Sequence, residues 1–322
     1  MVEVLCVGEA MAVFAPAEPG PAHAVRTWRR TIGGAESNVA RALAALGVPS
    51  AWAGAVGDDS FGRALLAELA ADGVDVTGAY TDPARPTGLY VKESAASGSP
   101  MRYYRGGSAA SAMDPSLVST VDSLAPRLVH LSGITPALSP GCHDLVRALL
   151  ATPREWLVSF DVNWRPALWA GRDPAEVADL AAQADLVLTG DDEAVHVWGT
   201  GDPGRLRELL PSPATVVLKH GERGATLLEH GSAPVFEPAP AVDVVEPVGA
   251  GDAFAAGFLA ATLRGEDART RLRAGHLQAA ATLLTHDDVG RPLPSDVVAG
   301  LLRADDPAWA AARLSGEATV RG

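Results

Sequence analysis

Short apolar runs rich in β-branched residues alternate along the chain with alanine- and leucine-rich segments of helical length. The apolar runs predict strands at residues 4–7, 51–56, 128–131, 156–160, 186–188 and 215–218. The other segments predict helices at residues 37–46, 61–71, 143–150, 174–182, 206–210, 250–263, 270–284 and 295–302. Because apolar strands separated by helices are typical of parallel strands buried on both faces, the pattern predicts an α/β fold. We expect a doubly wound, mainly parallel sheet flanked by helices.

Two stretches, residues 13–30 and 87–105, depart from this alternation because both look like strands without an intervening helix. Together they predict a small antiparallel β-sheet that stands apart from the main sheet as a lid. Residues 304–322 are polar and lack periodicity, which is typical of a loosely held chain terminus. We therefore expect one domain over residues 1–303, followed by a C-terminal tail.

Composition narrows the class of protein. The chain has 322 residues, of which 48% are hydrophobic, so it can build a packed core. Its net charge of −13 argues against a nucleic-acid or membrane partner, because neutralising phosphates needs a basic face. Only two of its 26 basic residues are lysines, Lys92 and Lys219, which we attribute to genome composition. The two cysteines lack metal-ligand spacing and no apolar run approaches the ~20 residues of a membrane span, so we expect a cytoplasmic protein.

The segment Gly249, Ala250, Gly251, Asp252 stands directly before an apolar helix. Small residues at a helix N-terminus leave backbone N–H groups free to bind an anion, with the positive end of the helix dipole behind them. The alternative interpretation is that Asp252 is only a carboxylate that stabilises the helix start. A carboxylate beside a phosphate site is otherwise repulsive, so it is better explained as a base for a hydroxyl that attacks the phosphate.

Lys219 begins a second segment, which follows the strand predicted at residues 215–218 and contains Gly221 and Gly224. The two glycines permit a tight turn between two strands, and a plain hairpin is one interpretation. The other is a turn that flanks a nucleotide at the carboxyl end of the strand.

Two further segments supply candidate contacts. Gly34 precedes a helix that carries Asn38, where the backbone can approach a small ligand closely. Asp161, Asn163 and Arg165 alternate just past an apolar strand, at the usual ligand crevice of an α/β sheet. Loop packing and loop hydrogen bonding are the corresponding structural alternatives.

In order and spacing, these four segments resemble the ribokinase-like (PfkB) carbohydrate kinases over roughly residues 1–300. The resemblance implies a doubly wound domain with a β lid, ATP as phosphoryl donor, and Mg²⁺ held mainly through phosphates and water. It implies that Asp252 is the catalytic base and that the amides of Gly249, Ala250 and Gly251 stabilise the developing charge. The implied sugar contacts are Gly34, Asn38, Tyr90, Tyr103, Arg105, Arg165, Asp252 and Asp287. The implied nucleotide contacts are Asn163, Arg165, Lys219, Gly221, Gly224, Gly249, Ala250 and Gly251, and Glu193 is the implied metal contact.

Smaller sequence features indicate the substrate. Residues 33–38, 103–111 and 161–169 resemble the 2-keto-3-deoxygluconate kinases, which implies transfer to the C6 hydroxyl of that sugar acid. Arginine supplies planar, bidentate donors for a carboxylate, so Arg105 and Arg165, helped by the Tyr103 hydroxyl, are the expected anchors. Fructokinases share part of the third feature and are the nearest alternative. A catalytically inactive sugar- or nucleotide-binding protein is the alternative of another class.

The chain departs from the family pattern in two places. The usual Asp-Thr before Gly249 is Glu246-Pro247, and the usual Asn-x-x-Glu of the metal site begins with Gly190 and keeps only Glu193. Asp191 or Asp192 is a candidate to replace the missing asparagine. Because one face of an isolated lid sheet needs cover, we also expect a homo-oligomer, a dimer formed through the lid.

Overall fold

The computed structural model describes residues 1–18, 20–93, 101–151 and 153–316. The strands in these ranges are β1 (Val4–Val7), β2 (Met11–Pro16), β3 (Trp28–Gly33), β4 (Ser50–Ala53), β5 (Ala55–Gly57), β6 (Tyr80–Asp82), β7 (Leu89–Lys92), β8 (Met101–Tyr104), β9 (Leu128–Ser132), β10 (Leu157–Asp161), β11 (Leu186–Gly190), β12 (Thr215–Lys219), β13 (Ala225–Glu229), β14 (Val235–Glu237), β15 (Ala241–Val242) and β16 (Arg313–Leu314). The α-helices are α1 (Ala35–Ala45), α2 (Ser60–Ala71), α3 (Val118–Leu124), α4 (Pro140–Leu150), α5 (Ala175–Ala181), α6 (Asp191–Trp198), α7 (Pro203–Leu209), α8 (Ala250–Leu263), α9 (Ala268–Leu283), α10 (Ser295–Leu302) and α11 (Asp306–Ala310).

Eight strands form the main sheet, in the order β14-β13-β12-β11-β10-β9-β1-β4. The six strands from β12 to β4 are parallel, and β13 and β14 continue the sheet as antiparallel strands. The predicted α/β architecture is confirmed. The antiparallel edge adds strands β13 and β14, which the sequence pattern did not predict.

Helices cover both faces of this sheet, which is why its central strands are apolar throughout. Side chains of α1, α2, α8 and α9 pack in one core cluster, and side chains of α3 to α7 pack in a second cluster on the opposite face. None of the helices in the described ranges is long and apolar enough to cross a lipid bilayer.

The strand predicted at residues 51–56 is two strands, β4 and β5. The break is at Gly54, where a Cβ atom would lie 2.4 Å from the carbonyl oxygen of Gly8. After this close approach β5 leaves the main sheet and pairs with β6.

The predicted lid is a separate four-stranded sheet in the order β3-β2-β7-β8. Its outer pairs are antiparallel, but β2 and β7 run parallel, so the expectation of a purely antiparallel sheet is wrong. A parallel pair needs a long crossover connection, and here the chain builds α1, β4, β5 and α2 between the two strands. Residues 94–100 of the predicted lid stretch lie outside the described residues.

The expectation of a loosely held tail is wrong for its first part. Strand β16 pairs with β15, and the side chains of Trp309 and Leu314 are 1% and 2% exposed. The indole N–H of Trp309 donates to the carbonyl oxygen of Pro238 at 2.8 Å. These contacts, together with packing on α9, hold a polar segment that has no periodicity of its own. Residues 317–322 lie outside the described residues.

Candidate active site

A cavity of about 600 Å³ lies between the inner face of the lid and the carboxyl ends of the central strands. The lid contributes Tyr90, Tyr103 and Arg105, and the start of α8 lies across from them. Twelve predicted site residues line the cavity, namely Gly34, Asn38, Tyr90, Tyr103, Arg105, Asn163, Arg165, Glu193, Lys219, Gly249, Gly251 and Asp252. Ala250, Gly221, Gly224 and Asp287 are not among its lining residues.

The start of α8 has the geometry of an anion site. Gly249 caps the helix with a φ of 83°, and a Cβ atom there would lie 2.1 Å from the carbonyl oxygen of Asp288. Only glycine satisfies both the left-handed backbone and this contact. The Ala250 N–H donates to the Pro247 carbonyl oxygen at 3.4 Å. Of the three residues predicted to bind the anion through their amides, Gly249 and Gly251 line the cavity and Ala250 does not.

Asp252 lies in the first turn of α8, half-buried at the cavity wall. Its Oδ2 atom accepts a hydrogen bond of 2.8 Å from Nδ2 of Asn38, in helix α1. Burial raises the pKa of Asp252 to about 7, and the nearby Asp161 carboxylate contributes in the same direction. A carboxylate with this pKa is suited to accept a proton near neutral pH.

Lys219 ends β12 and reaches past β11 to the end of β10, where its Nζ atom lies 3.0 Å from Oδ2 of Asp161. Burial alone would lower the pKa of Lys219, but the carboxylates of Asp161 and Glu193 raise it above the usual value. The ammonium group therefore remains charged beside the start of α8. A Cβ atom at Gly251 would lie 3.8 Å from Nζ.

Asn163 and Arg165 follow β10 into the cavity. Asn163 has a φ of 39°, a left-handed conformation that asparagine adopts more readily than most residues. This turn places both side chains on the cavity, and the Arg165 side chain is exposed.

Glu193 is engaged by the backbone. Its Oε2 accepts from the Gly190 N–H at 2.7 Å and its Oε1 accepts from the Trp164 N–H at 3.0 Å, which caps helix α6. Asp192 lines the cavity, whereas Asp191 is paired with Arg223. In the described ranges, no group of three or more carboxylate, histidine or cysteine side chains could hold a metal ion. The carboxylates of Asp192 and Glu193 line the cavity, and carboxylate oxygens are ligands of the kind that Mg²⁺ prefers.

Gly221 and Gly224 form the turn between β12 and β13, so the hairpin interpretation of this segment describes its local structure. Gly224 has a φ of 135°, and a Cβ atom there would lie 2.2 Å from the carbonyl oxygen of Glu237. Both glycines are thus required by the turn itself.

Arg105 is 11% exposed and forms an ion pair with Glu9, which is almost fully buried. Nη2 of Arg105 makes this contact with Oε2 of Glu9, whereas Nε has no hydrogen-bond partner among the described residues. Burial raises the pKa of Glu9, against the opposing effect of Arg105.

Asp287 lies outside the cavity, where it pairs with Arg29, and both side chains are half-exposed. Its neighbour Asp288 lines the cavity instead and accepts hydrogen bonds of 2.5 Å from Tyr90 and Lys92. The expectation of Asp287 as a site residue is therefore corrected to Asp288. The backbone after α9 turns Asp288, and not Asp287, toward the cavity.

Glu9, Lys92 and Asp288 are the polar groups of this region that sequence reasoning missed. One signal was present for Lys92, because Tyr90 and Lys92 are two residues apart on a strand and share a face. No local pattern marks Glu9, whose partner Arg105 comes from a distant strand.

The doubly wound sheet, the β lid and the cavity between them define a protein of the ribokinase-like class. A crystal structure of a PfkB protein from Polaromonas sp. superimposes with a TM-score of 0.81 and 32% identity, covering 94% of this chain and 100% of that one. The model of the pfkB family of carbohydrate kinases matches residues 1–295, and the chain belongs to that family. It is a carbohydrate kinase of that family.

Two curated relatives carry more specific names. A 2-dehydro-3-deoxygluconokinase of Bacillus subtilis is 33% identical over 282 residues, which are 85% of this chain and 87% of that protein. A 2-dehydro-3-deoxygalactonokinase of Haloferax volcanii is 32% identical over 318 residues, which are 94% and 98%. A ribokinase II from Escherichia coli, solved with ATP and Mg²⁺, shares the fold with a TM-score of 0.79 at 22% identity.

Proposed function

We propose that the chain is a 2-keto-3-deoxygluconate kinase, which transfers the γ-phosphoryl group of ATP to the C6 hydroxyl of this sugar acid. The observation that carries the proposal is the buried guanidinium of Arg105 at the cavity wall, whose Nε–H has no hydrogen-bond partner among the described residues. Buried N–H groups of a charged side chain require an acceptor, and a substrate carboxylate supplies one with matching geometry. The relative of the same name in Bacillus subtilis supports this assignment.

In the proposed reaction, Asp252 accepts the proton of the C6 hydroxyl through Oδ1, because Asn38 occupies Oδ2. The C6 oxygen forms a bond to the γ-phosphorus as the bond from that phosphorus to the β-phosphate oxygen breaks, which releases ADP. Since the transition state is loose, positioning and electrostatic stabilisation contribute most of the rate enhancement.

Three sources of positive charge are available to the phosphates: the ammonium of Lys219, the guanidinium of Arg165 and the N-terminus of α8. Mg²⁺ bound with ATP would neutralise part of the phosphate charge. Both carboxylate oxygens of Glu193 already accept backbone hydrogen bonds. We therefore expect Glu193 to contact the water shell of the ion and not the ion itself. Asn163 and the turn from Lys219 to Gly224 flank the nucleotide.

The buried free thiols of Cys6 and Cys142 fit a reducing cytoplasm.

A coupled kinase assay with 2-keto-3-deoxygluconate, its galactonate epimer, fructose and ribose tests the substrate assignment. The gluconate sugar acid should give the highest kcat/KM. A higher value for the epimer would reassign the stereochemistry, and a higher value for fructose would favour the fructokinase alternative. No phosphorylation of any sugar would favour the inactive binding protein.

We expect Arg105→Ala to raise KM for the sugar acid by about 10- to 100-fold, which is the weight of a charge-assisted hydrogen bond. The same change should alter KM for fructose only slightly, because a neutral sugar has no carboxylate to anchor. Steady-state kinetics with both sugars measure the difference.

Arg102→Ala is the matched control, because Arg102 lies on β8, three residues before Arg105, but pairs with Glu93 at the surface. It should leave both KM values unchanged. Since Arg105→Ala leaves Glu9 buried without its partner, the double variant Glu9→Gln/Arg105→Ala provides a second test. An equal effect on acid and neutral sugars in both variants would overturn the role of Arg105.

The lid face opposite the cavity is the proposed dimer contact. Leu89 and Tyr104 are paired across β7 and β8 on this face with Val91 alongside, and Tyr104 is 58% exposed. A second lid would cover these apolar surfaces, which a small sheet cannot bury alone.

Light scattering should report a mass near twice 33.1 kDa, and Val91→Asp should reduce it to that of one chain. Leu157→Asp, at an exposed leucine away from the lid, is the control, and an unchanged mass in Val91→Asp contradicts the contact.

A further inference from the structure

Three buried polar side chains join the lid to the C-terminal half of the body. Tyr90 and Lys92 project from the same face of β7 and both donate to Asp288, which follows α9. Tyr90 Oη lies 2.5 Å from Oδ2, and Lys92 Nζ lies 2.5 Å from Oδ1. Both carboxylate oxygens of Asp288 are therefore occupied by the lid.

The three residues do not have the same relation to the cavity. Tyr90 and Asp288 line it, whereas Lys92 lies behind them, outside the lining residues and only 7% exposed. Lys92 therefore contacts neither the sugar region nor the phosphate region. Any effect on the reaction must act through Asp288.

Asp288 also contacts the loop at the start of α8. The position that a Cβ atom of Gly249 would take is 2.1 Å from the Asp288 carbonyl oxygen, so the two backbones are in direct contact. Gly33, at the end of lid strand β3, approaches the same group, since a Cβ atom there would lie 2.4 Å from Tyr90 Oη. Asp288 thus connects these parts, because its carboxylate contacts the lid and its backbone carbonyl contacts the loop at the start of α8.

We propose that Lys92 is a positioning residue: by holding Asp288, it fixes the lid strand β7 to the loop that carries Gly249. This connection keeps the sugar-binding side chains of the lid at a set distance from the phosphate-binding helix start. A compact ammonium suits this role because it can donate to one carboxylate oxygen in a confined site while Tyr90 takes the other. The inference rests on the proposed function only for the choice of sugar.

Lys92→Met removes the charge and keeps the length of the side chain. We expect KM for the preferred sugar to rise by about 10-fold or more, because small displacements of binding groups have large kinetic effects. KM for ATP should stay within about twofold. Lys92→Arg should recover only part of the loss, because it restores the charge but its larger guanidinium fits the confined site less well. Arg102→Met is the control for an exposed lid cation.

Hydrogen–deuterium exchange of the sugar-free protein provides a readout that needs no substrate. In Lys92→Met, peptides covering residues 87–92 and residues 247–252 should both exchange faster than in the wild type. Arg102→Met should change neither. Faster exchange in the lid alone, or a sugar KM within twofold of wild type, would overturn the proposal.

If Lys92→Met fails to fold, the double variant Lys92→Met/Asp288→Asn takes its place in the exchange experiment, because the double variant removes both buried charges. It should also exchange faster at residues 247–252, and unchanged exchange there would overturn the connection. Because this measurement uses no sugar, it separates a failure of the Lys92 proposal from a failure of the substrate assignment.

Discussion

The Asp252→Asn variant should turn over at least ~10²-fold more slowly than the wild type, because it loses the group that accepts the hydroxyl proton. An amide has nearly the same shape as the carboxylate and can still pair with Asn38, so KM for ATP should be almost unchanged. Steady-state kinetics with saturating sugar measure both quantities. A variant that retains half of the wild-type kcat would refute the assignment of Asp252 as the base.

The pH dependence supplies an independent check. Because burial raises the pKa of Asp252 to about 7, the carboxylate is protonated below that pH and cannot accept a proton. The kcat/KM of the wild type should therefore fall about tenfold per pH unit below about pH 7 and level off above it. This acidic limb should be absent in Asp252→Asn. Asp58→Asn, at an exposed carboxylate paired with Arg63, should keep it.

Replacing Arg273 by Met should lower the free energy of unfolding by about 3 kcal/mol, the lower end of the range for breaking a buried ion pair. Arg273 Nε lies 2.9 Å from Oε2 of Glu237, and the two side chains are 2% and 3% exposed. Its Nη1 also donates to the carbonyl oxygen of Ala304. We expect the lower end of that range of free energies because Arg269 remains paired with the other carboxylate oxygen of Glu237.

Urea denaturation measures this difference through the unfolding midpoint. The control is Arg205→Met, which breaks an exposed pair with Glu208 and should change stability by less than about 1 kcal/mol. An Arg273→Met protein as stable as this control would show that the buried ion pair adds nothing to the free energy of unfolding. Kinase activity below the transition should be similar in both variants, since neither arginine lines the cavity.

Elements with strong local signals were predicted closely. Helix α8 begins and ends where small residues and an apolar run place it, and α10 matches its predicted bounds. All four motif segments contribute residues to one cavity. For the two segments at the ends of β10 and β12, the reason is that parallel strands bring their carboxyl ends to the same edge of the sheet. These results depend only on short-range pattern and on the known direction of the strands.

Interactions between distant segments were not predictable in the same way. Nothing in the adjacent Asp287 and Asp288 indicates which one lines the cavity, since that depends on how the chain leaves α9. The burial of Trp309 depends on Pro238 and on the stacked guanidinium of Arg273, which come from other parts of the chain. The ion pair of Glu9 and Arg105 likewise exists only once the lid has formed.

The two lysines have a practical consequence for chemical labelling. Lys92 and Lys219 are the only side-chain amines in the sequence, and each is held by a carboxylate at the wall of the cavity or directly behind it. Reagents that acylate side-chain amines therefore have no target on the outer surface of this enzyme. Their reaction with Lys219 would report occupancy of the phosphate region, and reaction with Lys92 would report opening of the lid.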